Sequence, residues 1–334
     1  MDAGQVAGAR ALEDPAQPVV EVVAGVIRDA RGRILLARRT EGRDLAGLWE
    51  FPGGKREPEE SPEAALVREL YEELGIQVEP GAPLINVPQA YPHKRLRLDV
   101  HEVRAWHGHL RGLEGQALAW VPPHKLPSYA MPPADRPVVA ALLQPDRYLV
   151  TPEPGTDDAR WLAMLARALV GGACRVQLRA PALDPTRWHR LATAAVEHCR
   201  AAGVEVLLNG DVELALQLGV GVHLRAAQLA ALRERPVPAS VVLAASCHDV
   251  TELRAAQALD CDFAVVGAIR PTPTHPGAPA IGWPGFAALR ESVSLPIYAI
   301  GGLATEDIAE ARRHGGQGIA AIRGLWPQAG SIDS

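Results

Sequence analysis

The sequence has little of what marks an extracellular, membrane-spanning or DNA-binding protein. Its 334 residues include four cysteines and no Cys-x-x-Cys pair, which argues against a disulfide framework or a structural zinc site. No run is long and apolar enough to span a membrane. The formal net charge is −5 without a long basic run, which disfavours a nucleic-acid partner. These absences favour a cytoplasmic protein, and a nucleotide remains open as a partner because a metal ion can neutralise its phosphates.

The length and a change of pattern predict two domains. Residues 1–17 contain acids and no apolar core segment, so they are not a signal peptide and are interpreted as a disordered leader. We expect one domain over 18–146 and a second over 147–330. The sequence leaves the oligomeric state open.

The first domain reads as mixed α and β, and the second as alternating strands and helices. In the first, RLRLDVHEVRAWHG and ALAWVPP are interpreted as a strand pair. In the second, eight short β-branched runs recur, and helical patterns fill most of the intervals between them. Eight alternating units predict a (β/α)8, or TIM, barrel, so the whole chain combines an α+β and an α/β domain. The eight runs are YLVT, CRVQLR, EVLLN, GVHL, VVLAAS, FAVVG, PIYAI and GIAAI.

A short acidic helix is predicted within EFPGGKREPEESPEAALVRELYEELGI, residues 50–76. Ser61 and Pro62 suit its start, and Gly75 suits its end. Leucines recur every four residues on one face, while three glutamates at i, i+3 and i+4 share another. Crowded carboxylates repel each other and raise their pKa values, and a hard cation such as Mg²⁺ relieves this. The alternative to a cation site is an acidic helix surface that is simply exposed to solvent.

The spacing of this segment resembles that of the Nudix hydrolases at every fixed position of the family's box, from Gly54 to Ile76. EFPGGK and the segment before it resemble the MutT branch, which cleaves oxidised nucleotides. The resemblance implies an α/β/α sandwich that uses Mg²⁺, with Mn²⁺ as an alternative. It also implies the metal-binding residues, namely Gly54, Glu60, Glu69, Glu72, Glu73 and, from LEGQALAWVP, Glu114.

The same resemblance implies the residues that act on the substrate. Glu69 is the first choice for the general base, with Glu72 or Glu73 as alternatives, and Arg68 orients the carboxylates. Arg39 falls where an arginine contacts the nucleotide. Asp135 replaces the asparagine that reads the purine edge, and capping of the following helix is an equal alternative for it. The expected substrate is 8-oxo-dGTP, cleaved to 8-oxo-dGMP and pyrophosphate in nucleotide-pool sanitation and DNA repair.

The second domain resembles thiamine phosphate synthase and its relative TenI through the order of its strand ends. A phosphate or thiamine-related ligand is implied, with the candidate residues Gln177, Arg179, Asn209, Thr272, Thr274, Gly301 and Gly302. Several family positions differ, because Pro181 and His275 replace lysines, and Gly210 and Gln228 replace metal-binding acids. We therefore expect a barrel that binds a phosphorylated ligand and has lost synthase activity. The alternatives are a bifunctional thiamine enzyme and a non-catalytic sensing or docking domain.

Overall fold

The computed structural model describes residues 18–42, 44–272 and 279–327. The predicted leader, Thr274, His275 and the last residues of the predicted second domain lie outside the described residues. The main division of the chain falls between Gln144 and Pro145, and each of the two compact units has its own hydrophobic core. No helix in the described ranges is long and apolar enough to cross a membrane.

Within its described residues, the first unit contains two sheets and two α-helices. One sheet has the strand order β4-β1-β6-β5, and the other has the order β3-β2-β7. The strands are β1 Val19–Val26, β2 Ile34–Arg38, β3 Trp49–Glu50, β4 Gly53–Lys55, β5 Ile76–Tyr91, β6 Lys94–Gly108 and β7 Leu118–Val121. The helices are α1 Pro62–Leu74 and α2 Asp135–Leu143, and a 3₁₀ helix spans Pro123–Ser128.

The strand pairing in the first unit differs from the sequence interpretation. Strand β6 pairs with β5 in antiparallel fashion and with β1 in parallel, whereas β7 pairs with β2 in the other sheet. The predicted pairing of β6 with β7 was wrong. Strand β5 was missed because it contains three prolines, which cannot donate ladder hydrogen bonds, and its register shifts around Pro80 and Pro83.

Helix α1 is held in place by its leucine face. Leu66, Leu70 and Leu74 are fully buried and belong to one core cluster with residues of β1, β2 and β5. Full burial of each leucine contributes about 1.5–3 kcal/mol relative to exposure. The opposite face of α1 is thereby fixed in orientation, and this face carries the glutamates.

The second unit is a closed barrel of eight parallel strands, as the sequence predicts. The barrel strands are β8 Arg147–Val150, β9 Arg175–Leu178, β10 Glu205–Asn209, β11 Gly221–Leu224, β12 Leu243–Cys247, β13 Phe263–Gly267, β14 Ile297–Ile300 and β15 Gly318–Ala321. Its described helices are α3 Asp158–Val170, α4 Pro185–Ala201, α5 Val212–Leu218, α6 Ala226–Ala231, α7 Val250–Ala258, α8 Gly282–Arg290 and α9 Ile308–Arg313, with a 3₁₀ turn at Thr305–Asp307.

Aromatic side chains and one arginine fill the barrel near the start of its strands. The Arg175 guanidinium lies 4.4 Å from the Phe263 ring centroid and donates to Tyr298 Oη at 2.8 Å. It also forms an ion pair with Glu205. Because these side chains fill the end of the barrel where the strands begin, space for a ligand remains at the carboxyl ends of the strands, where barrels of this type carry their sites.

Candidate functional site

The local sequence of α1 sets where its acidic face begins and ends. The Ser61 hydroxyl accepts a hydrogen bond from the Ala64 amide at 3.2 Å, and Pro62 occupies the first turn. Gly75 ends the helix with a φ of 69°, and its amide donates to the Tyr71 carbonyl at 2.9 Å. These caps confirm the predicted helix ends.

Arg68 joins the carboxylates of this face. It binds Glu60 in a bidentate manner at 3.0 and 2.8 Å, and its Nη1 donates to Glu69 at 2.8 Å and to Glu72 at 3.3 Å. A further bond reaches the Lys55 carbonyl at 3.0 Å. Hydrogen bonding from Arg68 lowers the pKa of Glu60, and the paired carboxylates raise the pKa of Arg68. The expected upward shift of the pKa was therefore wrong for Glu60, because the Arg68 guanidinium lies among the carboxylates.

Two glycines allow the carboxylates to approach the backbone of the turn before α1. A side chain at Gly54 would overlap the Glu69 carboxylate, so glycine is required for that approach. Gly53 has a φ of 153°, and its amide donates to Glu73 Oε2 at 3.3 Å. Glu73 is buried, whereas the Glu72 side chain is 56% exposed.

The position of Glu114 is set by contacts between its turn and the end of α1. The Leu113 amide and the Gln116 side chain donate to the Glu73 carbonyl at 2.9 and 3.0 Å. Glu114 itself is exposed, and its amide donates to Gln116 Oε1 at 2.9 Å. The turn is thus tied to the acidic helix, and its carboxylate is on the surface.

The donor set of this face suits a divalent cation by its chemistry. Carboxylate and carbonyl oxygens are the ligands that Mg²⁺ and Mn²⁺ prefer, and the close approach of Glu69 to Gly54 places such oxygens together. In residues 18–42, 44–272 and 279–327, no three His, Cys, Asp or Glu side chains are arranged as a metal site. Instead, Glu60, Glu69 and Glu72 converge on Arg68.

A second cluster in the same unit contains both predicted substrate-binding residues. Arg39 forms an ion pair with Glu50, and its Nε donates to the Asp44 carbonyl at 2.6 Å. Asp135 is 5% exposed, and its Oδ1 accepts a hydrogen bond from the Phe51 amide at 3.2 Å. Asp135 does not cap α2, because it lies inside the helix and the preceding residue makes no side-chain cap bond.

The surroundings of Asp135 favour its protonated form. Burial raises its pKa to about 8, and the nearby charge of Glu50 adds to this, while the Phe51 amide and Arg39 oppose it. Burial likewise raises the pKa of Tyr91 to about 12, with Asp135 and Glu50 among its neighbouring charges. The sequence did not single out Glu50 or Tyr91, because neither carries a signal before the chain is folded.

In the barrel unit, the described candidate residues line one cavity of about 1330 Å³. Gly301 and Gly302 have φ values of 112° and 69°, which favour glycine, and a side chain at Gly301 would lie 2.7 Å from Ala268. Gln177 Nε2 donates to Asn209 Oδ1 at 3.5 Å. The residues brought together here are Gln177, Arg179, Asn209, Thr272, Gly301 and Gly302.

Other polar residues of the barrel have structural partners. Asp211 caps α5 through the Leu214 amide at 3.1 Å and accepts a bond from Trp188 Nε1 at 3.0 Å. His223 is buried between Tyr148 Oη at 3.1 Å and Ser246 Oγ at 2.8 Å. Burial lowers the pKa of His223 to about 3, so it is neutral in the folded protein.

The acidic helix behind a glycine turn belongs to a hydrolase domain for phosphoric anhydrides, and the second domain is a closed barrel with a cavity lined in part by glycines. The family model described as NUDIX domain matches residues 23–141, and the model described as thiamine monophosphate synthase matches residues 147–325. The chain therefore belongs to the Nudix family over its first domain and to the thiamine monophosphate synthase family over its second. Nudix hydrolases generally use a divalent metal ion.

Three curated relatives illustrate the two halves. The CTP pyrophosphohydrolase of Escherichia coli (strain K12) is 43% identical over 125 residues, covering 37% of this chain and 92% of the relative. The 8-oxo-dGTP diphosphatase of Haemophilus influenzae is 43% identical over 126 residues, covering 37% and 92%. The thiamine-phosphate synthase of Chromobacterium violaceum is 40% identical over 183 residues, covering 54% and 87%.

Proposed function

We propose that the first domain hydrolyses 8-oxo-dGTP to 8-oxo-dGMP and pyrophosphate with Mg²⁺, Mn²⁺ being the alternative ion. The observation that carries the proposal is the oxygen-rich face of α1, where Glu69 lies against Gly54 and Glu73 reaches the Gly53 amide. The name of the Haemophilus influenzae relative supports the choice of nucleotide. Such an activity would remove an oxidised precursor before DNA replication uses it.

The residues that would hold the metal ion are the oxygen donors around the glycine turn. The ion would supply positive charge at the diphosphate and acidify water. The proposed donors are the Gly54 carbonyl and the carboxylates of Glu60, Glu69, Glu72, Glu73 and Glu114.

Glu69 is the proposed general base, with Glu72 and Glu73 as alternatives. Its carboxylate would accept a proton as the oxygen of water bonds to phosphorus and the anhydride P–O bond breaks towards pyrophosphate. Arg68 is a positioning residue, since its hydrogen bonds to Glu60, Glu69 and Glu72 orient these carboxylates.

Neutral Asp135 is the proposed reader of the base. A protonated carboxyl offers one donor and one acceptor side by side, as an amide does. The 8-oxoguanine edge presents the complementary pair, with O6 as acceptor and N7–H as donor, whereas unmodified guanine presents two acceptors there. The raised pKa of Asp135 therefore supports recognition of the oxidised base by an acid in place of the amide.

A cytidine triphosphate is the second candidate substrate. Cytosine also presents an acceptor, N3, beside its N4–H₂ donor, so it matches neutral Asp135 equally well. The Escherichia coli relative carries the name CTP pyrophosphohydrolase, which favours this candidate. Adenine nucleotides present a similar pair through N7 and N6 and belong in the same test.

The test is a hydrolysis panel with the purified full chain. We expect the highest kcat/KM for 8-oxo-dGTP among 8-oxo-dGTP, dGTP, CTP, dCTP, ATP and ADP-ribose. Glu69→Gln and Glu72→Gln should each lower kcat by at least ~100-fold, with unchanged circular dichroism. Glu79→Gln removes an exposed carboxylate elsewhere and serves as the control. Full activity in both helix variants would disprove the role of this face.

For the barrel, we propose a phosphorylated ligand, including thiamine-related phosphates, without synthase activity. Supporting observations are the cavity at the strand ends and the contacts of Asp211, the acid next to Gly210, whose carboxylate is engaged by the Leu214 amide and by Trp188 Nε1. A bifunctional thiamine enzyme is the alternative, and growth of a strain lacking thiamine phosphate synthase without thiamine would establish it. Thermal shift with thiamine phosphates separates a sensing or docking domain from an inert scaffold.

A further inference from the structure

Three neighbouring strand ends of the barrel carry two arginines on either side of a glycine. Leu208 of β10 pairs with Leu178 of β9, and Asn209 of β10 pairs with His223 of β11. Arg179 directly follows β9, and Arg225 directly follows β11, so both arginines lie at the same edge and flank Gly210. Arg179, Asn209 and Arg225 all line the cavity.

Arg225 is held against the backbone at Gly210. Its Nε donates to Gln228 Oε1 at 3.2 Å, and Gln228 Nε2 donates to the Gly210 carbonyl at 2.8 Å. A side chain at position 210 would lie 2.7 Å from the Arg225 Nε. The guanidinium therefore occupies space that opens only because residue 210 is glycine, and Gln228 fixes its orientation.

The charge balance of the described cavity wall leaves these arginines available to an anion. Its acids are Glu306 and Asp307, and Asp307 pairs with Arg270 at 2.6 Å. Within the described residues, the guanidinium groups of Arg179 and Arg225 have no carboxylate partner. Around Gly210, the wall thus offers fixed positive charge and no carboxylate pair that could bind a divalent cation.

We infer that Arg179 and Arg225 form a subsite that binds a phosphate or diphosphate group directly, without a divalent cation. Guanidinium groups bind phosphate oxygens through paired N–H donors and keep their charge at all accessible pH values. Arg225 supplies at this edge the positive charge that a metal ion would otherwise supply. The inference rests on the proposed ligand binding of the barrel and adds how the charge of that ligand is neutralised.

The test measures binding of inorganic pyrophosphate and inorganic phosphate to the full chain by calorimetry. One arm contains EDTA, which removes any metal-dependent binding by the first domain. The other contains Mg²⁺ and uses the Glu69→Gln chain, so that hydrolase-site binding is impaired. Arg225→Gln removes the proposed contact, and Arg233→Gln removes an exposed arginine that does not line the cavity.

We expect pyrophosphate to bind in EDTA, with no tighter binding in Mg²⁺. Arg225→Gln should weaken binding by about 10- to 100-fold, the usual loss for a hydrogen bond to a charged group, while Arg233→Gln leaves it unchanged. Binding that requires Mg²⁺ would overturn the metal-independent subsite and leave a barrel ligand in place. If neither phosphate nor pyrophosphate binds in either arm, the phosphate subsite is overturned. If Arg225→Gln and Arg233→Gln lose the same affinity, the binding reflects general surface charge and the subsite is likewise overturned.

Discussion

Replacement of Asp135 by asparagine tests whether a protonated acid acts at the proposed base-reading position. Asp135 is buried, with a pKa of about 8, and the groups that face it are the Phe51 amide, Glu50, Arg39 and Tyr91. The protonated fraction falls from about 90% at pH 7 to about 10% at pH 9. Because only the protonated form offers a donor, kcat/KM for 8-oxo-dGTP should fall by about tenfold per pH unit above 8.

The assay is the ratio of kcat/KM for 8-oxo-dGTP in the unchanged protein to that in Asp135→Asn between pH 6.5 and 9.5. The ratio cancels the pH dependence of the shared hydrolytic chemistry. Because Asp135→Asn keeps a donor and an acceptor at every pH, the ratio should fall above pH 8 as Asp135 ionises. A ratio that stays constant across this range would refute the reasoning.

The same residue predicts a pH dependence of stability. The folded-state pKa of about 8 lies above the ordinary value of 3.8, so the contribution of Asp135 to stability is fully present below pH 3.8 and is lost as pH rises to 8. Between these values, the free energy of unfolding should fall by about 1.4 kcal/mol per pH unit relative to Asp135→Asn. Urea unfolding of the two proteins at pH 5, 6 and 7 measures this slope, and parallel curves would contradict the shifted pKa.

Two further variants test the acidic helix. Gly54→Ala should displace the Glu69 carboxylate and lower kcat by at least ~10-fold. The fold should stay intact, because the overlapping group is the end of a flexible side chain. The control for kcat and for thermal melting is Gly155→Ala, where a methyl group meets nothing within 4 Å. Arg68→Gln should lower kcat by at least ~10-fold, since three carboxylates lose the donor that orients them. Arg104→Gln is the matched control, because it removes an exposed ion pair with Glu79. It should change the free energy of unfolding by less than about 1 kcal/mol and leave kcat unchanged. Equal effects of the two arginine variants on kcat would contradict the positioning role of Arg68.

Local patterns in the sequence determined the elements that position both sites. Ser61, Pro62 and Gly75 mark the ends of α1 because capping needs only neighbouring residues. The eight barrel strands are each short and apolar, so they were recognisable one at a time. The spacing from Gly54 to Ile76 likewise identified the acidic face, since a helical repeat places residues three and four apart together.

The partners of the charged side chains were decided by the tertiary structure. The sequence placed Glu60 and three helix glutamates near one another, yet the folded chain shows that Arg68 joins Glu60 to two of them. Asp135 acquires its raised pKa only from burial beside Glu50, which lies 85 positions earlier in the chain. Such shifts depend on desolvation and on charges brought together by folding, neither of which a local pattern contains.

The barrel illustrates the same division between what is local and what is not. The sequence by itself determined its strands, its glycine pair at Gly301 and the replacement of expected acids at positions 210 and 228. Only the folded chain decided that Asp211 caps a helix and that Arg225 lies over Gly210, held by Gln228. The physical reason is that strand formation depends on neighbouring residues, whereas the direction of a polar side chain depends on the partners that distant segments bring to it.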